Sequence, residues 1–191
     1  MRVSARGISL APYAGMGILR KLFGKSTTTD IIDVLTMQHA EVDMLIMAIE
    51  KGSGDKRALF TELADKLAAH AAVEEQLFYP AVMAKQTEDQ LREAVEEHLS
   101  VKRLLADLIV LSPSDDAFDA KLEVLKEQVQ HHAHKEEEGK LFPKVKKLFN
   151  ADERAAIGNE YLVMFEQMML SHPYKHVPAE TDAAAELPRV R

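Results

Sequence analysis

The chain of 191 residues has no cysteine and no tryptophan, and only 6% of its residues are aromatic. Without cysteine there can be no disulfide, thiolate nucleophile, zinc finger or iron–sulfur cluster, so any metal must be held by nitrogen and oxygen. Positive charge is outnumbered, with 24 Lys and Arg against 31 Asp and Glu. A net charge of −7 argues against a general binder of nucleic acid or of anionic membranes. No run is apolar and long enough to span a bilayer. There is no Ser-His-Asp array and no dinucleotide-binding turn. Gly24-Lys25-Ser26 resembles the end of a phosphate-binding loop, but the glycine required at position 19 is Leu19 and no strand precedes it. The reading left by these absences is a cytoplasmic protein.

What is plentiful is Ala, Leu, Glu and Lys, the composition of an all-α chain. Residues 1–28 carry no acidic side chain and are interrupted by Pro12 and several glycines. They read as a flexible basic arm; a weak transit sequence, or an extension upstream of a start at Met16, are the other readings. Residues 29–149 show four amphipathic stretches with apolar spacings of three and four. The first, Thr29 to Glu50, has the stripe Ile32, Leu35, His39, Val42, Ile46 and Ile49. It ends at Gly52-Ser53-Gly54, where Asp55 can cap the next helix. The second, Asp55 to Lys85, has Leu63, Leu67, His70, Glu74 and Leu77, with a kink or early end expected at Pro80. Thr87-Glu-Asp-Gln90 fits a capping box for the third, Glu88 to Leu111, striped by Leu91, Val95, His98, Lys102 and Leu105. The fourth, Asp115 to Phe149, has Leu122, Leu125, Val129, His132 and Glu136. Asn150-Ala-Asp-Glu153 should cap an accessory helix over residues 150–172, its methionines packing on the bundle or on a partner. Residues 173–191 read as a disordered tail.

Two stretches match. His70 to Pro80 and His132 to Pro143 each place a Glu four residues after a His, one turn away on the same helix face, and each continues into an apolar-aromatic pair and a proline. One such pair is ordinary; two, each continuing an apolar stripe, are not. Their tails differ by one residue, so a local bulge is expected in the fourth helix. Short connections make the helices antiparallel neighbours. Counted from the turns at about 1.5 Å per residue, His39, His70, His98 and His132 come to one level within roughly a helical turn. Four inward imidazoles and two carboxylates would form a costly pocket unless paired or metal-bound. The candidate metal ligands are therefore His39, His70, Glu74, His98, His132 and Glu136, a set better matched to a two-iron site than to a single tetrahedral zinc.

Taken together, these residues resemble the hemerythrin-like (HHE cation-binding) domain family over about residues 29–149. The resemblance rests on His39, His70-x-x-x-Glu74-Glu75 with Leu-Phe-Tyr-Pro, Glu97-His98, and His132-x-x-x-Glu136-Glu137 with Leu-Phe-Pro. It implies an up-down-up-down four-helix bundle holding two oxo- or hydroxo-bridged non-haem iron ions. Glu74 and one carboxylate of the fourth helix would bridge, and the four histidines would be terminal ligands. The family's oxygen carriers have a second His four residues after the one in the third helix, where this chain has Lys102. They also place the fourth-helix carboxylate five residues after its His, which selects Glu137 with His132 or Glu136 with His131. The stripe favours Glu136. Lys102 is expected to leave an iron under-coordinated, to contact a bound oxygen species, or to pair with Glu75 or Glu137. The expected small ligand is dioxygen, peroxide or nitric oxide, with a peroxide-consuming, catalase-like side activity as the enzymatic reading. An iron storage or sensing protein and a metal-free structural bundle are the alternatives. Neither nucleic acid nor membrane is expected as a partner, and the oligomeric state is not legible.

Overall fold

A computed structural model describes residues 29–190; the basic arm expected over residues 1–28 lies outside the described residues. Helix α1 is Ile31–Glu50. Helix α2 is Lys56–Val73, followed without a break by a π-helical turn, Glu74–Phe78, and the short α3, Tyr79–Val82. Helix α4 is Glu88–Val110. Helix α5, Asp116–Gln130, runs into a longer π-helical segment, His131–Leu141, and on into α6, Phe142–Leu148. Helix α7 is Ala151–Met169. Among the described residues no helix is long and apolar enough to cross a membrane.

The starts of the helices follow local chemistry. The side chains of Asp30, Asp55 and Asp115 accept from backbone N–H groups that the first turn would otherwise leave unpaired. Asn150 and Glu153 close a reciprocal capping box. Thr87 does not form the box expected of it. Its hydroxyl donates to Val82 O (2.8 Å) and accepts from Ala84 N (2.9 Å), so it clasps the turn between α3 and α4.

Two apolar clusters fill the bundle. One is built around Ile46, Phe60, Leu63, Leu105, Phe118 and Leu125, with Phe60 and Phe118 edge to face at 5.2 Å. The other is built around Leu35, Phe78, Val82, Leu91, Phe142 and Val145. His39, His70, His98 and His132 lie between them in sequence on their respective helices and are all buried. Helix α7 packs on α1 and α2. It comes close because Gly158 has no side chain: a Cβ there would run into the carbonyl of Thr29. Tyr161 is fully buried on the same helix, and Met164 and Met168 are half-buried against the second cluster.

Beyond α7 the chain, expected to be a disordered tail, forms 3₁₀ turns at Pro173–Lys175 and Val177–Ala179 and buries Pro173 and Val177. Its anchor is Asp65, only 4% exposed on α2, which accepts from Tyr174 N (3.2 Å) and pairs with His172 Nδ1 (3.0 Å). A buried carboxylate needs such partners. Here they come from more than a hundred residues away, out of reach of any local pattern.

Candidate metal centre

The π-helical segments decide which side chains meet. Proline has no N–H to donate, and its ring crowds the carbonyl four residues back. Directly upstream of Pro80 and Pro143 the backbone widens to i→i+5 bonding: Tyr79 N reaches Glu74 O and Phe142 N reaches Glu137 O. In the first copy the widening begins at Glu74, so His70 and Glu74 remain one α-turn apart. In the second it begins at His131, before the histidine. Residues five apart then share a face, and Glu137, fully buried, takes the inward position beside His132. Glu136, favoured by the stripe, turns to Lys140 Nζ at 2.6 Å and lies 3.5 Å from His131. The one-residue difference between the tails is this widening.

The structure brings together His39, His70, Glu74 and Glu137 as one set of donor atoms, and Glu74, His98 and His132 as another, the atoms of each set lying within 4.8 Å of one another. Glu74 belongs to both. His39 Nε2 is 3.2 Å from Glu137 Oε2, and His70 Nε2 is 3.2 Å from Glu74 Oε2. Neither nitrogen is aligned for a hydrogen bond; both are buried without a hydrogen-bond partner, as are Glu74 Oε1 and Glu137 Oε2. His98 Nε2 and His132 Nε2 face each other at 3.1 Å. Buried polar atoms are ordinarily paired. Lone pairs that converge without pairing fit cations bound between them, and imidazole and carboxylate donors suit a first-row transition metal.

Every inward histidine is held at its other ring nitrogen. Nδ1 of His39 donates to Glu138 (2.7 Å), that of His70 to the side-chain oxygen of Gln38 (2.8 Å), that of His98 to Glu75 (3.1 Å), and that of His132 to Glu97 (2.7 Å). An acceptor at Nδ1 fixes the tautomer that leaves Nε2 free to bind metal. Residues outside the stripe support this layer. His134 holds Glu138 (3.1 Å) and Asp43 (2.9 Å), and the hydroxyl of Tyr161 on α7 donates to Gln38 (2.8 Å). These supports carry no periodic signal. Lys102 lies on α4 one turn after His98, and of its two expected partners it pairs with Glu75 (2.8 Å).

Tyr79 was visible in sequence only as part of an aromatic-proline tail. It stands inside the layer, its hydroxyl donating to Glu137 Oε1 (3.1 Å) with His98 Nε2 at 3.3 Å, and its ring stacks on His98. A cavity of about 30 Å³ opens beside the four imidazoles, otherwise walled by apolar side chains such as Val42, Leu67, Val101 and Val129.

The charges are mutually dependent. Burial by itself would raise Glu137, but His132, His39 and His70 hold its carboxyl down to about 2. Burial, reinforced by the charges of Glu137 and Glu75, pushes Glu74 well up. Burial works to lower His39, yet the Glu137 and Glu138 carboxylates carry it up to about 9. His70 is driven well down by burial and by the nearby charge of His39. Burial raises Tyr79, with the Glu137 and Glu74 charges adding to it. Bound cations would neutralise the carboxylates and occupy the imidazole lone pairs together.

The model of the hemerythrin HHE cation-binding domain matches residues 29–145. The chain therefore belongs to the hemerythrin HHE cation-binding domain family, and its all-helical bundle is the family's fold. It is also 27% identical over 134 residues to a protein named DNA nickase from Nostoc sp. (strain PCC 7120), a match that takes in 69% of this chain and 38% of that protein's length. No solved structure matches the chain.

Proposed function

We propose that this protein holds two iron ions and binds a small oxidant, namely dioxygen, peroxide or nitric oxide. The observation that carries the proposal is the set of four buried, unpaired donor atoms on His39, His70, Glu74 and Glu137, which face one another across the bundle. One ion would take His39, His70, Glu74 and Glu137, the other Glu74, His98 and His132, with Glu74 shared. Iron bound there supplies electrons that a small oxidant can accept.

The remaining chemistry belongs to the chain. The Nδ1 tethers fix the four rings, so little reorganisation accompanies binding. A cavity of about 30 Å³ leaves room beside the imidazoles for a small molecule. Its apolar wall limits water around a reactive ligand. Tyr79 places a hydroxyl proton at Glu137 Oε1, ready to be shared with a neighbouring oxygen atom. Lys102, spent on Glu75, does not serve as a ligand in this arrangement.

The test is metal analysis of anaerobically purified protein, with visible and near-ultraviolet spectra before and after oxygen and peroxide. About two irons per chain and an optical change on oxidant addition are expected. Protein free of iron, and unable to take it up, would overturn the reading. The relative named DNA nickase motivates a second reading, cleavage of one DNA strand, to be tested with metal bound at the proposed site. Relaxation of supercoiled plasmid by the iron- or manganese-loaded protein would favour it, although the net charge of −7 weighs against a surface that holds DNA.

A further inference from the structure

The four Nδ1 acceptors are not equivalent. His70 bonds the neutral Gln38. His39 and His132 bond carboxylates with solvent access, Glu138 and Glu97, whose side chains are 27% and 20% exposed. His98 bonds Glu75, whose side chain is only 9% exposed, so water screens its charge least. A carboxylate at that depth needs a counter-charge. Lys102 supplies it, with Nζ 2.8 and 3.1 Å from the two Glu75 oxygens and a side chain that is also 9% exposed. The pair forms part of the wall of a second cavity, of about 440 Å³, between the bundle and the C-terminal segment, from which Glu180 comes within 3.6 Å of Nζ.

We propose that Glu75 and Lys102 are a charge-compensated positioning pair: Glu75 fixes His98 as an Nδ1–H donor, and Lys102 cancels the negative charge that Glu75 would otherwise press onto that ring. The proposal rests on the metal reading above. A carboxylate at Nδ1–H makes the opposite nitrogen a stronger donor to metal and favours the more oxidised ion. An ammonium on the same carboxylate opposes that effect. Removing one or the other must therefore move the site in opposite directions, whereas a pair that only packs would loosen His98 in either variant and move it the same way.

The experiment uses the full chain and three variants: Glu75→Gln, Lys102→Met and the two combined. Affinity is read with Zn(II) against a competing chelator, and the reduction potential on the iron-loaded protein. Glu75→Gln keeps an acceptor oxygen but loses the charge; it should weaken Zn(II) binding about 10- to 100-fold and raise the potential. Lys102→Met should tighten Zn(II) binding about tenfold and lower the potential. The double variant restores charge balance, so it should return to within about threefold of the parent, the non-additivity expected of coupled neighbours. Shifts of the same sign, or none, in variants that still bind metal would overturn the proposal. If the parent binds neither iron nor zinc, the metal reading fails by itself, and the pair is judged on the ring. Nitrogen NMR of the metal-free protein should show His98 protonated at Nδ1 in the parent and in Glu75→Gln, but not in Glu75→Ala. An identical tautomer in all three would overturn it.

Discussion

The His70 and His132 turns begin from one pattern and end in different geometry. Their upstream halves are equivalent: Leu63 and Leu67 lead to His70 as Leu125 and Val129 lead to His132, and all four leucine and valine side chains are buried. After the histidine they part. The first copy completes an α-turn to Glu74 before widening; the second widens at once and delivers Glu137. The shared half is fixed by apolar periodicity. The divergent half is fixed by one extra residue ahead of a proline and by the partners that residue finds. A His and a Glu in a helix thus define a donor pair only once the hydrogen-bond register between them is known.

The strongest way to break this comparison is at the shared carboxylate. Glu74→Ala should abolish binding of both ions, because Glu74 belongs to both donor sets; metal analysis would show iron near zero. Next comes the contrast that separates the two registers. Glu137→Ala should lose at least one ion and most of the oxidant-dependent optical change, while Glu136→Ala should hold iron like the parent. Iron lost in Glu136→Ala and kept in Glu137→Ala would restore the α-helical register and refute the widened one.

Metal removal should have a smaller but general effect. With free metal at about a thousand times its dissociation constant, binding stabilises the fold by about 4 kcal/mol. For a chain of this size that corresponds to roughly 10 °C in melting temperature, at about 2–4 °C per kcal/mol. Scanning calorimetry with and without chelator would measure it, and an unchanged midpoint would count against the site. Smallest is Tyr161→Phe. It deletes one buried hydroxyl that holds Gln38, at a cost of about 1 kcal/mol. Iron stoichiometry should stay at the parent value while the rate of iron loss to chelator rises. A faster loss in Tyr161→Phe would tie the accessory helix to the His70 turn, which is tethered by neutral Gln38 and not by a half-buried carboxylate of the kind that holds His39 and His132.

The absence of cysteine, the apolar spacing of the helices and the aspartate and asparagine caps are local features, and through them the sequence by itself determined an all-helical bundle, the nitrogen and oxygen donors open to any metal and the four inward histidines. Helix periodicity is a property of the backbone, so a stripe predicts which side chains face inward wherever the backbone stays α-helical. Tertiary structure decided what periodicity cannot carry. It set Glu137 rather than Glu136 among the inward donors through a π-helical register, turned the Thr87 side chain from a capping box to a clasp, gave Lys102 to Glu75, and anchored His172 and Tyr174 on the buried Asp65. Each of these depends on burying a charge or an unpaired backbone group, and the energy of burial is set by partners distant in sequence that only the folded chain brings near.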